Sequence, residues 1–172
     1  MMDPLQWVQL VLRATPMRWE RLAEMLPGAL LRLEPAPGEW SAIGCLMHLI
    51  DTEKYIFPVR VKNFLNGEDL TAFDPVTQGT AVSGEEDVRQ LAEEFRKLRA
   101  ESLILLSGVT EAHLDLTANH EELGPVTLSE MLHVWAAHDL NHTIQAERAI
   151  MQPFIAGSGP WTIYFKDHQF NQ

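Results

Sequence analysis

Cysteine is nearly absent from this chain: Cys45 stands alone in 172 residues. An internal disulfide is excluded, and a reducing compartment is the simplest expectation. Basic residues are scarce as well. Thirteen Lys and Arg face 24 Asp and Glu, giving a formal net charge of −11 at pH 7. So acidic a surface repels phosphate backbones and anionic lipid headgroups, so no nucleic acid and no membrane is expected as a partner. The apolar segment 42–49 contains His48 and is far shorter than the roughly 20 residues a membrane-spanning helix needs. The start, Met1-Met2-Asp3-Pro4, carries no basic region and no cleavage pattern, so the expected location is cytoplasmic. The chain also shows no internal repeat, no run of five or six like charges and no convincing two-residue alternation of apolar and polar side chains.

What is present is ordinary globular material. Hydrophobic residues make up 46% and charged residues 22%, with five Trp and seven Phe to fill a core. The length suits one core, so residues 1–172 are read as a single domain. Asp3-Pro4 and Thr15-Pro16 both look like helix starts, predicting a short helix to about Ala14 and a second from Pro16 to Leu26. Ser41 reads as the cap of a helix running to about Leu65, with a possible kink at Pro58 and a stop at Asn66-Gly67. Ser83 and Glu86 form a capping-box pattern before a helix from Glu85 to about Leu106, with Val88, Leu91, Phe95, Leu98, Ser102 and Leu105 on one stripe. Residues 109–126 look irregular, with one helical turn after Thr110. Thr127 and Glu130 form a second capping box, and the last helix runs to about Met151 before Pro153. The aromatic tail after Phe154 is expected to pack back on the body. The reading is all-α: four main helices in a bundle with one long crossover between the second and third.

The chemistry sits on the helical stripes. Leu128, Met131, Trp135, His138, His142, Gln145 and Ala149 follow alternating spacings of three and four, which is a core-facing stripe. Four residues advance a helix by about 400°, so His138 and His142 point within roughly 40° of each other, one turn apart. Two imidazoles placed so can hold one metal ion. Cys45, His48, Thr52, Tyr55 and Val59 repeat the spacing on the second helix, so His48 faces the same core. The spacing leaves two readings open: a three-histidine metal site, or core histidines with hydrogen-bond partners of their own. His133 falls on another face; His113 and His168 are expected to be solvated. Cys45, one turn before His48, is either a ligand or nucleophile, or a small buried apolar residue, the second being the simpler reading. Asp51, Glu53 and His120 are the candidate acid–base residues. Asp51 lies near the His48 face, Glu53 is a candidate supporting group from a neighbouring helix, and His120 precedes the last helix; Asp139 beside His138 is a further supporting candidate.

Trp40-Ser41 followed by His48-Leu49-Ile50-Asp51-Thr52-Glu53, and Gly124-Pro125-Val126-Thr127-Leu128 followed by Trp135-Ala136-Ala137-His138-Asp139-Leu140-Asn141-His142-Thr143-Ile144-Gln145, resemble the two helix signatures of the DinB/YfiT-like superfamily. Arg60, His120 and Gly159-Pro160-Trp161 add to the resemblance. It implies a four-helix bundle of unusual connection order, often dimeric, so a homodimer is expected. It also implies one divalent metal on His48, His138 and His142. Some members of that family use mycothiol, bacillithiol or glutathione for transfer or isomerisation, and others are described as metal-dependent hydrolases. The implied function is therefore a hydrolase, or a transferase using a low-molecular-weight thiol, acting on a small molecule. The alternative is a non-catalytic metal-binding stress-response protein, whose closed site would need a fourth ligand, with Cys45 or Asp51 the residue to check. Three imidazoles suit Zn or Ni first and Fe or Cu next.

Overall fold

The computed structural model describes residues 4–72 and 84–170. Helix α1 spans Pro4–Met25, the short α2 Gly28–Leu31, α3 Ala42–Tyr55, α4 Phe57–Asn66, α5 Val88–Ser107 and α6 Leu128–Gly157. A 3-10 turn (Glu111–His113) and a hairpin of β1 (Thr117–His120) with β2 (Gly124–Thr127) lead into α6, and a 3-10 segment, Gly159–His168, follows it. Helices α1 and α3 each pack on both α5 and α6, so α1 faces α3 across the bundle and α5 faces α6. The long connection between α4 and α5 is the crossover.

The helix starts are chemically specified. The Ser41 hydroxyl accepts from the Gly44 amide at 3.2 Å and caps α3. Thr127 and Glu130 close the predicted capping box on α6: the Glu130 amide donates to Thr127 Oγ1, and the Thr127 amide donates to Glu130 Oε2. The cap of α5 differs from expectation. Asp87 accepts from the amides of Arg89 and Gln90, so the helix begins at Val88. Ser83 lies outside the described residues. Gly67, at φ 71°, takes the left-handed conformation that ends α4.

Two prolines do not do what local chemistry suggests. Pro16 lies inside α1, a single 22-residue helix rather than two. Pro153 lies inside α6, which runs on to Gly157. Each proline leaves the carbonyl four residues earlier without its helical donor. At Pro16 that carbonyl belongs to Leu12, and it accepts instead from Arg99 Nη1 at 2.8 Å. The break near Pro58 is sharper than a kink: Ile56, at φ −117° and ψ −76°, separates α3 from α4. The stripe read through it therefore fails at its end, where Tyr55 and Val59 are exposed. Residues 117–127, read as irregular, pair as a hairpin in the register Thr117↔Thr127 to His120↔Gly124. Four residues per strand are too few to show a periodicity. Leu70, at the head of the crossover, bridges to His120 and ties the connection to this hairpin. The 3-10 segment after α6 does fold back: Gln152 Nε2 donates to the His168 carbonyl, while Trp161, Ile163 and Tyr164 stay exposed.

The apolar interior comes in two bodies. One gathers Leu5, Leu12, Phe57, Phe64, Leu106 and Trp135; the other gathers Trp19, Ile43, Leu46, Leu49, Phe95 and Ala146. Between them lies a polar layer of Thr15, Glu53, Arg99 and Asp139, all buried. The site is built beside that layer.

Candidate metal centre

His48 comes from the middle of α3, and His138 and His142 come from successive turns of α6. The bundle brings their ligand nitrogens within 4.8 Å of one another. His48 Nε2 and His138 Nε2 are 3.0 Å apart. The rings meet edge to face or tilted, with centroids 4.5 Å apart for His48–His142 and 4.5 Å for His138–His142. Aromatic neighbours hold them: Trp40 stacks on His142 and tilts against His48, while Phe57 meets His138 edge-on and stacks on Trp135. Gln145 Oε1 lies 2.9 Å from His142 Nδ1 and accepts its proton, leaving Nε2 with a free lone pair.

All three rings are neutral at physiological pH. Burial, with the charge of His142, pushes His48 down to about 4. Burial and the neighbouring His142, His48 and Arg99 push His138 down to about 3. His142 is lowered by burial, with Gln145 opposing. Neutral imidazole is the form that binds metal.

The residues fit a divalent cation. Two neutral imidazoles whose Nε2 atoms face each other can satisfy one another only if one carries a proton there. A cation between the rings uses the facing lone pairs instead. Zn–N bonds of about 2.0–2.1 Å in tetrahedral geometry would place two ligand nitrogens about 3.3 Å apart, near the 3.0 Å between His48 Nε2 and His138 Nε2, with all three ligand nitrogens within 4.8 Å.

The other sequence candidates lie elsewhere. Cys45 is wholly buried in the second apolar body, and burial pushes its thiol up to about 12, so it is a core residue and not a thiolate. Asp51 is half-buried, its carboxyl is raised by burial, with Lys54 and Glu94 as its charged neighbours, and it is not part of the histidine cluster. Glu53 is held by both oxygens on Arg99: Nε donates to Oε1 at 2.9 Å and Nη2 to Oε2 at 2.8 Å. Asp139 takes the other side of the same guanidinium at 2.7 and 3.1 Å. Burial works against the Arg99 charge, but Asp139 and Glu53 outweigh it and hold the guanidinium above its ordinary value. His120 is buried; its Nδ1 accepts from the Glu122 amide, and its Nε2 lies 3.1 Å from Arg60 Nη2. His133 and His168 are exposed as expected. His113 is half-buried rather than solvated, with its Nδ1 accepting from the Thr110 amide.

Arg99 is the residue the stripe reading missed. The buried face of α5 runs Val88, Ala92, Phe95, Arg99, Ser102, Leu106, one step off the predicted stripe at three positions. The signal was the spacing itself, counted from Val88 with a charged residue allowed on it. The stripe through Leu91, Leu98 and Leu105 carries no charge, and those leucines are only partly buried.

Comparison with known proteins agrees with this geometry. The family model of the DinB superfamily matches residues 12–146. Among solved structures, YfiT from Bacillus subtilis, described as a probable metal-dependent hydrolase with an unusual four-helix bundle topology, superposes with a TM-score of 0.73 at 17% identity, covering 87% of each chain. The comparison with curated proteins returns no match. The match over most of the chain, on a four-helix bundle carrying three converging histidines, places it in a family: this chain belongs to the DinB superfamily.

Proposed function

We propose that this protein is a metal-dependent hydrolase of small molecules, with one divalent ion held by His48, His138 and His142. The observation that carries the proposal is the ligand count. Among the described residues the cluster holds three imidazoles and no cysteine or carboxylate, so a four-coordinate ion keeps one position for water or substrate. A closed structural site would need a fourth protein ligand, and the two residues placed to supply it do not: Cys45 is a buried neutral thiol and Asp51 lies beside Lys54 and Glu94. The resemblance in fold to YfiT points the same way.

A divalent ion at this centre would supply Lewis acidity and bring the pKa of water down to about 7. The protein's own residues set the stage for it. Gln145 fixes the tautomer of His142. Trp40 and Phe57 wall the imidazoles from solvent and hold their planes. The Arg99 pairings with Glu53 on α3 and Asp139 on α6 lock the two ligand-bearing helices in register. Glu53 acts here as a positioning residue, because both of its oxygens are already engaged.

The test is the metal content of the purified protein by elemental analysis, beside a His48→Ala, His138→Ala, His142→Ala triple variant. About one equivalent per chain, lost in the variant, is expected for a single three-histidine site. Protein that carries no metal and takes up neither Zn nor Ni would end the proposal.

A further inference from the structure

Helix α6 carries two apolar stripes. One, through Leu128 and Trp135, is buried in the core. The other runs Ala137, Leu140, Ile144 at spacings of three and four, and all three are exposed. Helix α1 repeats the arrangement. Leu5, Val8, Leu12 and Trp19 are buried, while Trp7, Leu10, Ala14 and Met17, at spacings of three, four and three, are exposed. A three-four apolar repeat is the pattern of a helix face that packs along its length, so each of these helices has a second face suited to packing.

The outward stripes lie side by side. Arg18, four residues after Ala14, donates from Nε to Glu147 Oε1 at 2.7 Å, and Glu147 lies three residues after Ile144. Beyond that ion pair, Met25 and Phe154, each seven residues further along its helix, continue the seam. Its large apolar side chains, from Trp7 to Met25 on α1 and from Leu140 to Phe154 on α6, are 44% to 76% exposed. At roughly 100 Å² apiece the seam presents about 700 Å² of apolar surface. That exceeds the roughly 300–600 Å² of the largest patch on a typical monomer. It approaches the ~800 Å² per partner of a stable interface. The seam is also poor in acid. Residues 4–17 contain no Asp or Glu, and residues 131–146 contain only Asp139, which is buried on Arg99.

We infer that this seam is the two-fold interface of a homodimer, with α1 and α6 of one copy packed on α1 and α6 of the other. Charge selects the occupant. Two copies of a chain of net charge −11 repel each other, and this is a face on which they can meet without carboxylate opposing carboxylate. A basic partner, by contrast, would find no row of carboxylates there to pair with. A two-fold contact uses the same patch on both copies, so one self-complementary apolar seam is sufficient. The arrangement also bears on the metal centre, because α6 carries His138 and His142 and would be held between its own core and a second copy. The inference itself does not depend on the metal.

The test is sedimentation velocity on the full chain across a wide range of protein concentration, where a species of twice the chain mass is expected. Ala14→Glu places a carboxylate in the seam, twice in a two-fold dimer, and keeps a good helix former at an exposed position, so the fold is retained. It should raise the dimer dissociation constant by about 100-fold or more, the scale of like charges set opposite each other in an interface. Leu10→Glu with Ile144→Glu should leave only monomer, with the helical circular dichroism unchanged. Ile104→Glu on α5 and Tyr164→Glu on the 3-10 segment after α6, both at exposed apolar positions outside the seam, should leave the dimer intact. A wild-type chain that stays monomeric at the highest concentration overturns the inference. So does a dimer that survives Ala14→Glu unweakened, or one that is lost with Tyr164→Glu and kept in the Leu10→Glu, Ile144→Glu variant, which would move the contact to the aromatic tail.

Discussion

Arg99 donates a 2.8 Å hydrogen bond to the carbonyl of Leu12, the very carbonyl that Pro16 deprives of its helical donor. A proline that would end a helix is thereby accommodated by a buried cation from another helix, and the same cation holds Glu53 and Asp139. Four helices meet at one guanidinium.

Removing that guanidinium leaves two buried carboxylates without their cation and one carbonyl without its donor. Arg99→Met should therefore cost about 3–5 kcal/mol in urea unfolding, the range for breaking a buried ion pair from one side. Neutralising the partners as well, in the Arg99→Met, Glu53→Gln, Asp139→Asn variant, should recover a substantial part of the loss. A single variant as stable as wild type would show that the triad is not coupled.

Gln145 fixes the tautomer of His142 by a hydrogen bond at Nδ1. Gln145→Leu removes the acceptor on His142 Nδ1 while keeping the volume. Metal affinity should fall about 10-fold or more, in the range for loss of a supporting group. Competition with a chromogenic chelator measures it. Unchanged affinity would mean that Trp40 alone orients the ring.

The metal-free protein should lose stability on acidification. His48, His138 and His142 have their pKa values lowered in the fold, two of them to about 4 and about 3, from an ordinary value of 6.5. Below pH 6.5 the unfolded chain binds protons that the folded chain does not, so stability is full above that pH and declines as the pH falls toward the folded values. Urea midpoints at pH 7.5, 6 and 5, compared with the triple histidine variant, isolate this contribution above the range where most carboxylates titrate. Parallel curves for the two proteins would contradict it.

Cys45 should be chemically silent. Its side chain is wholly buried, and its thiol is pushed up to about 12. A disulfide reagent at pH 8 should label it only after denaturation. Rapid labelling of the native protein would restore Cys45 as a candidate for chemistry.

The cap on α6 gives a smaller, local effect. Thr127 Oγ1 accepts the Glu130 amide at the start of the helix that carries two ligands. Thr127→Ala should lower stability by about 1 kcal/mol in thermal or urea unfolding, with metal stoichiometry unchanged.

Much of this was legible one element at a time. Helix-period stripes placed His138 and His142 on one face, because a spacing of four is a property of the helix alone. Caps at Ser41 and Thr127 are local hydrogen-bond chemistry, so sequence determines them. The scarcity of basic residues and the lack of long apolar runs set an expectation about partners without reference to a fold.

Other features were decided only by packing. Pro16 and Pro153 stay inside helices because the fold as a whole outweighs a local breaker, and at Pro16 the freed carbonyl finds Arg99, 87 residues away. Glu53 and Asp139 are supporting candidates in the sequence, but their partner is not legible there: both are bound on both oxygens in the structure, since only tertiary contact brings Arg99 between them. The hairpin at 117–127 was invisible because four-residue strands carry too short a pattern, and its register depends on the partner strand. The sequence by itself determined which residues are able to hold a metal, through helical spacing and the chemistry of imidazole. The tertiary structure decided that His48 meets the other two across 90 residues, and that none of the nearby carboxylates joins them, because long-range proximity and ion pairing are properties of the packed bundle and not of any segment within it.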